Sequence, residues 1–178
     1  TRLLVPVWGS RYVELFCAIG LAALLSDGNL PALARETDCE VIFLTTASSI
    51  DDFKCHSAYH RLREICAVSF VAIDDIVDVG SYGVTLTLAY ARGIRSLGSR
   101  QIGTYYIFLN ADFVLSQDAL SVVLGYIRRN YGVVLAPTLR CNDEDVRPIL
   151  SQLAGAKDNL LDIPSRDLAG MVLRHLHP

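Results

Sequence analysis

No block of lysine or arginine occurs anywhere in this 178-residue chain, and its net charge is −3. Phosphate backbones are held by clustered cations, so nucleic acid is not expected as a partner. Cys-x-x-Cys spacing is also missing. The five cysteines, Cys17, Cys39, Cys55, Cys66 and Cys141, are scattered and odd in number. That pattern excludes a zinc knuckle or a disulfide framework and reads as a reducing cytoplasm. Each cysteine is expected to be a small buried apolar residue. The longest apolar run, residues 12–25, contains Glu14 and is shorter than the roughly 20 residues a bilayer-spanning helix needs. No basic, apolar, small-residue signal opens the chain. Gly-x-Ser-x-Gly, Walker and Gly-x-Gly-x-x-Gly motifs are absent, so the hydrolase, P-loop and dinucleotide-binding readings fall. The chain starts at Thr1 without methionine and stops at Pro178 just after a helical pattern. It reads as one domain over residues 1–178, truncated at its C-terminal side.

Apolar residues make up 52% of the chain and mean hydropathy is +0.35. Such a composition suits a sheet covered on both faces. Strand patterns occur at residues 3–7, 40–46, 68–73, 105–109 and 133–136, with β-branched and aromatic residues in each. Helical spacing separates them at residues 11–25, 31–36, 80–97 and 117–130, with a further segment placing Tyr59, Leu62, Ile65 and Cys66 on one face. Ser116 is the expected N-cap of the 117–130 helix. Two more helices are expected at residues 142–153 and 165–175. Five strands alternating with helices imply an α/β fold whose mostly parallel sheet carries helices on both faces.

The run from Tyr105 to Phe113, Tyr-Tyr-Ile-Phe-Leu-Asn-Ala-Asp-Phe, is the most informative stretch. It reads as a buried strand ending in two oxygen carriers, Asn110 and Asp112. Ligands of open α/β sheets bind at the carboxyl ends of the strands. Residues i and i+2 of an extended segment point the same way, so these two can converge on one hard cation. The alternative is an Asx turn that caps the strand without a metal.

Three segments carry a resemblance. Val5, Pro6, Val7 and Trp8 resemble the Pro-Val-Tyr-Asn opening of family-two-like glycosyltransferases with the GT-A fold. Residues 40–48 look like that family's second strand, and residues 106–112 are similar to its Tyr-Ile-x-Phe-Leu-Asp-Ala-Asp. They occur in the family's order within about the first 140 residues. The resemblance implies a nucleoside diphosphate sugar as donor, an unknown acceptor, and a divalent metal, Mn²⁺ or Mg²⁺, that offsets charge on the leaving diphosphate. Asp112 matches the family's second aspartate and is the expected direct ligand. Asn110 would contribute its amide oxygen or contact the ribose. Thr45 and Thr46 stand where the family commonly has an acidic residue that contacts the base.

Further candidates lie at the strand ends. Pro6 and Trp8 close the first strand, and Trp8 either stacks on a nucleobase or fills core. Asp74 would contact a ribose or cap a turn. Arg92 would reach a phosphate or lie on a solvated face. In many GT-A enzymes a late histidine completes the metal shell, a role open here to His175 and His177. Their other reading is a favourable interaction with a helix C-terminus. Asp143, Glu144 and Asp145 are candidates for a catalytic base or an ordinary acidic helix start, and no base is identifiable. Two departures, threonines for the acidic residue and Asn110 for aspartate, keep a catalytically inactive GT-A-fold binding domain in play. A sugar-phosphate nucleotidyltransferase is the third reading.

Overall fold

The computed structural model describes residues 1–77, 81–155 and 158–177. The predicted helix start at Gly80 lies outside the described residues. The chain forms two compact units, one of Thr1–Cys17 with Thr37–Phe113 and the other of Ala18–Glu36 with Val114–Pro178. No linker composition marks the crossings between them.

The first unit is an α/β layer structure. Strands β1 (Arg2–Pro6), β2 (Glu40–Thr45), β3 (Ala67–Ala72) and β4 (Tyr106–Phe108) form one sheet in the order β3-β2-β1-β4, and every pairing is parallel. Parallel neighbours need crossovers, and the helices supply them. α1 (Ser10–Leu15) leads into a π-helical turn, Phe16–Gly20, and then α2 (Leu21–Leu24) and α3 (Leu30–Glu36). α4 (Ile50–Lys54) and α5 (Ser57–Ile65) link β2 to β3, and α6 (Tyr82–Arg95) lies between β3 and β4. The predicted helix over 11–25 is therefore one helical stretch with a π-turn inside it, and the unit boundary falls within that turn.

Strand alternation sorts the core. Leu4, Ile42 and Leu44 pack with Ile73, and with Ala89 of α6, on one face. On the other face Phe43 stacks on Phe53 at 4.4 Å between ring centroids, with Phe70 at 5.6 Å and Phe16 at 5.8 Å. Gly93 lets α6 close on the sheet, since a Cβ there would lie 2.9 Å from Leu44 Cδ2 and 3.2 Å from Leu4 Cδ2.

Pro6 sits in a central strand without breaking it. The amide of Arg2 donates to Tyr105 on the β4 side, whereas that of Val7 donates to Leu44 on the β2 side. By alternation the missing donor of Pro6 faces the β4 side. The β1–β4 register ends at Leu4↔Phe108, so no ladder bond is lost.

The second unit is helical. α7 (Ala119–Arg128), α8 (Asp143–Gly155) and α9 (Ser165–Arg174) join α2 and α3. Ala22, Ala23, Val146, Leu150, Leu161, Ile163 and Met171 form its core, with Leu168 packed against it. Asn29, fully buried, ties the unit together. Its Nδ2 reaches Ala23 O at 2.9 Å, Ser26 Oγ at 3.0 Å and Ser116 O at 3.1 Å, while Leu120 N–H donates to its Oδ1 at 3.0 Å.

Two expectations are corrected here. Residues 133–136 are not a strand: they are irregular, and Val133 and Leu135 are 74% and 89% exposed. A strand needs a ladder partner. Among the described residues the second unit offers only the isolated bridge between Cys141 and Leu176. Ser116 is not the N-cap of α7. That position belongs to Asp118 in left-handed conformation, φ 60°, and the Ser116 carbonyl serves Asn29 instead.

Candidate functional site at the carboxyl edge of the sheet

From β1 the chain steps outward through β2 to β3, then returns through α6 to β4 on the other side of β1. The direction of winding thus reverses between β1 and β4. That is the switch point where open parallel sheets leave a crevice for ligands. The segments following all four strands meet at this edge of the first unit.

After β1 comes Trp8, half-buried against the cluster of Leu4, Ile73 and Ala89. Its ring centroid lies 5.5 Å from that of Tyr82, at the start of α6, with the planes at 34°. Gly9 follows with φ 83°, a conformation natural to glycine, and its N–H donates to Ser49 Oγ at 3.0 Å. Ser49 Oγ lies 2.9 Å from Thr46 Oγ1. These bonds join the loops after β1 and β2. Thr45 is fully buried, and its hydroxyl has no hydrogen-bond partner among the described residues. Pro6 is buried at the end of β1.

The loop after β3 is committed to local structure. Both carboxylate oxygens of Asp74 lie 3.1 Å from the Ala47 N–H. Asp75 and Arg92 form a two-point ion pair, with Nη2 to Oδ2 at 2.8 Å, and Arg92 also donates to Ala72 O at 3.0 Å. The hydrogen bond from Arg92 holds the Asp75 carboxyl down to about 2. Arg92 thus already fastens α6 to the end of β3.

After β4 the backbone departs from expectation. The strand ends at Phe108, and residues 110–113 form a turn closed by Phe113 N–H to Asn110 O at 3.1 Å. The i, i+2 alternation of an extended chain therefore does not apply to Asn110 and Asp112. Asn110 Oδ1 accepts a 2.7 Å hydrogen bond from the Tyr90 hydroxyl. Burial pushes the Tyr90 hydroxyl up, and the Tyr82 and Asp112 groups add to the effect, so it stays a donor. Tyr82 is raised in the same way, by burial first and then by the Asp112 charge. Asp112 itself is exposed, with no hydrogen bond or ion pair among the described residues.

His175 and His177 belong to the second unit, just past α9. His175 Nδ1 lies 3.6 Å from Asp145 Oδ2, and His177 N–H donates to Arg140 O at 3.2 Å. Asp143, Glu144 and Asp145 form the first turn of α8, where Asp143 pairs with Arg147. Among the described residues no group of three or more His, Cys, Asp or Glu side chains is arranged to hold a metal ion.

Tyr82 and Tyr90 were not singled out in the sequence. Tyr82 and Tyr90 lie within a helix whose apolar spacing marks it as core, and only the crossover places them beside Trp8 and Asn110. No protein-family model, curated protein or solved structure significantly matches this chain.

Proposed function

We propose that the first unit binds a nucleoside diphosphate sugar at its carboxyl edge, as a GT-A-type glycosyltransferase domain that passes the sugar to an acceptor. The observation that carries this reading is the pairing, at the β1/β4 switch point, of the half-buried Trp8 and exposed Tyr82 rings with the carboxylate of Asp112, which has no hydrogen bond or ion pair among the described residues. An aromatic face accepts a nucleobase by stacking, worth roughly 1–3 kcal/mol per base.

The donor set bears on the metal. Asp112 offers one hard carboxylate, and Asn110 Oδ1 keeps one lone pair beside the Tyr90 bond. Hard cations such as Mg²⁺ bind through one or two carboxylates plus substrate phosphates and water. These residues fit a cation that enters with the diphosphate and is shared with it. When bound, it would supply charge compensation on the leaving diphosphate.

The engagement of Asn110 by Tyr90, with Thr45 and Thr46 in place of an acidic residue, favours a second reading: a GT-A-fold domain that binds a nucleotide without transferring sugar.

Trp8 is the only tryptophan, so its emission reports on this edge alone. Titration with UDP or GDP in the presence of Mg²⁺ is expected to quench it saturably. Emission that stays unchanged up to millimolar nucleotide contradicts the proposal.

A further inference from the structure

At the opposite, amino-terminal edge of the same sheet, Cys39 immediately precedes β2 and Cys66 immediately precedes β3. The β2–β3 register runs without interruption from Glu40↔Ala67 to Thr45↔Ala72, so one step back sets Cys39 opposite Cys66. Paired strands lie about 4.8 Å apart, inside the roughly 4.4–6.8 Å Cα separation that a disulfide spans. The two thiols lie close enough that each shifts the other's titration, and they remain unbridged.

Their surroundings divide the labour. Cys39 is 6% exposed and Cys66 is half-buried. The neighbouring Cys39 holds the Cys66 thiol below the ordinary range, whereas Cys66 and burial push the Cys39 thiol above it. Cys66 is thus the more accessible sulfur and the one whose thiol is lowered, so it is the one an oxidant reaches first. No other cysteine combines these properties: burial pushes Cys17 up to about 12, and Cys55 and Cys141 have no thiol beside them in the ladder.

We propose that Cys39 and Cys66 form a reversible dithiol–disulfide couple that locks the starts of β2 and β3 together when the protein meets a peroxide-class oxidant. The Cys66 sulfur attacks one oxygen of hydrogen peroxide, forming an S–O bond and breaking the O–O bond. The departing hydroxide takes up a proton to become water, and Cys66 is left as a sulfenic acid. The Cys39 sulfur then displaces that oxygen, forming the S–S bond, and a second water leaves with the Cys39 proton. Two thiols and one peroxide give one disulfide and two waters. The inference stands apart from the nucleotide reading, since it concerns the other edge of the sheet.

The test treats the full chain with graded hydrogen peroxide, blocks remaining thiols with N-ethylmaleimide, and maps peptides by mass spectrometry with and without dithiothreitol. The expected result is joint loss of the Cys39 and Cys66 labels, a linked peptide containing both, and full recovery on reduction. A Cys39→Ser variant is expected to hold a sulfenic acid at Cys66 that dimedone traps. Loss of label first at Cys55 or Cys141 while Cys39 and Cys66 stay reactive overturns the proposal. So does a Cys66 bridge to any other cysteine. Mapping of the unmodified chain decides the matter even where the variant fails to fold.

Discussion

Replacing Phe43 by alanine is expected to destabilise the first unit by about 3–5 kcal/mol, the range for removing a fully buried aromatic side chain. Phe43 is 0% exposed at the centre of β2, which is paired on both sides. Its ring touches Phe53, Phe70 and Phe16, so truncation strips a contact from three aromatic neighbours at once. Those neighbours come from separate elements, α4, β3 and the turn after α1, and backbone hydrogen bonds hold each in place. The cavity therefore cannot close by a small shift, and its full cost is felt. Phe43→Leu keeps most of the volume and should lose well under half as much. Urea midpoints followed by circular dichroism check both. A loss below about 1 kcal/mol for the alanine variant would show that this face is loosely packed.

Asn29→Ala is expected to have a comparable effect in the second unit, about 2–4 kcal/mol. The side chain is 0% exposed and serves three acceptors and one donor. Alanine removes every partner and leaves the Leu120 N–H at the start of α7 without its acceptor. A buried unsatisfied polar group costs roughly 1–3 kcal/mol, and several are created together. Asn29→Asp retains the acceptor for Leu120 and discards the donor, so it separates the two halves of the network. It should also be destabilising, because a carboxylate would face the carbonyl oxygens of Ala23 and Ser116. Amide hydrogen exchange at Leu120 provides a local reading: protection falls in the alanine variant and persists in the aspartate variant if the fold holds.

Much of the first unit could be read from residue pattern. Runs such as Val41-Ile42-Phe43-Leu44 are apolar on successive residues because both faces of the strand are covered, and that signal is local. α6 was visible for the same kind of reason, with Ala89 and Ile94 on the face packed against the sheet. What escaped depended on distant partners. Residues 133–136 have the composition of a strand, and only the lack of a neighbouring strand among the described residues of their unit leaves them irregular and exposed. The sharing of residues 18–36 with 114–178 leaves no trace in composition. Two of the four Asn29 hydrogen bonds, to Ser116 O and from Leu120 N–H, exist only once the segment leading into α7 is packed nearby. At the candidate site, the strand-end positions of Trp8, Thr45, Thr46 and Asp74 followed from the strand pattern. The turn after Phe108 did not, since alternation was extended through Asp112 by assumption of a longer strand. The commitments of Arg92 to Asp75, and of Asn110 to Tyr90, are tertiary facts that no spacing encodes.

The central claim is that this carboxyl edge holds a nucleoside diphosphate together with a cation, through Asp112. Isothermal titration calorimetry with UDP and GDP, each with and without Mn²⁺, tests it most directly. The account predicts nucleotide binding that strengthens with Mn²⁺, no binding of Mn²⁺ alone at the same concentration, and loss of the metal-dependent part in Asp112→Ala. Binding that is absent in every combination, or identical in wild type and Asp112→Ala, would contradict it.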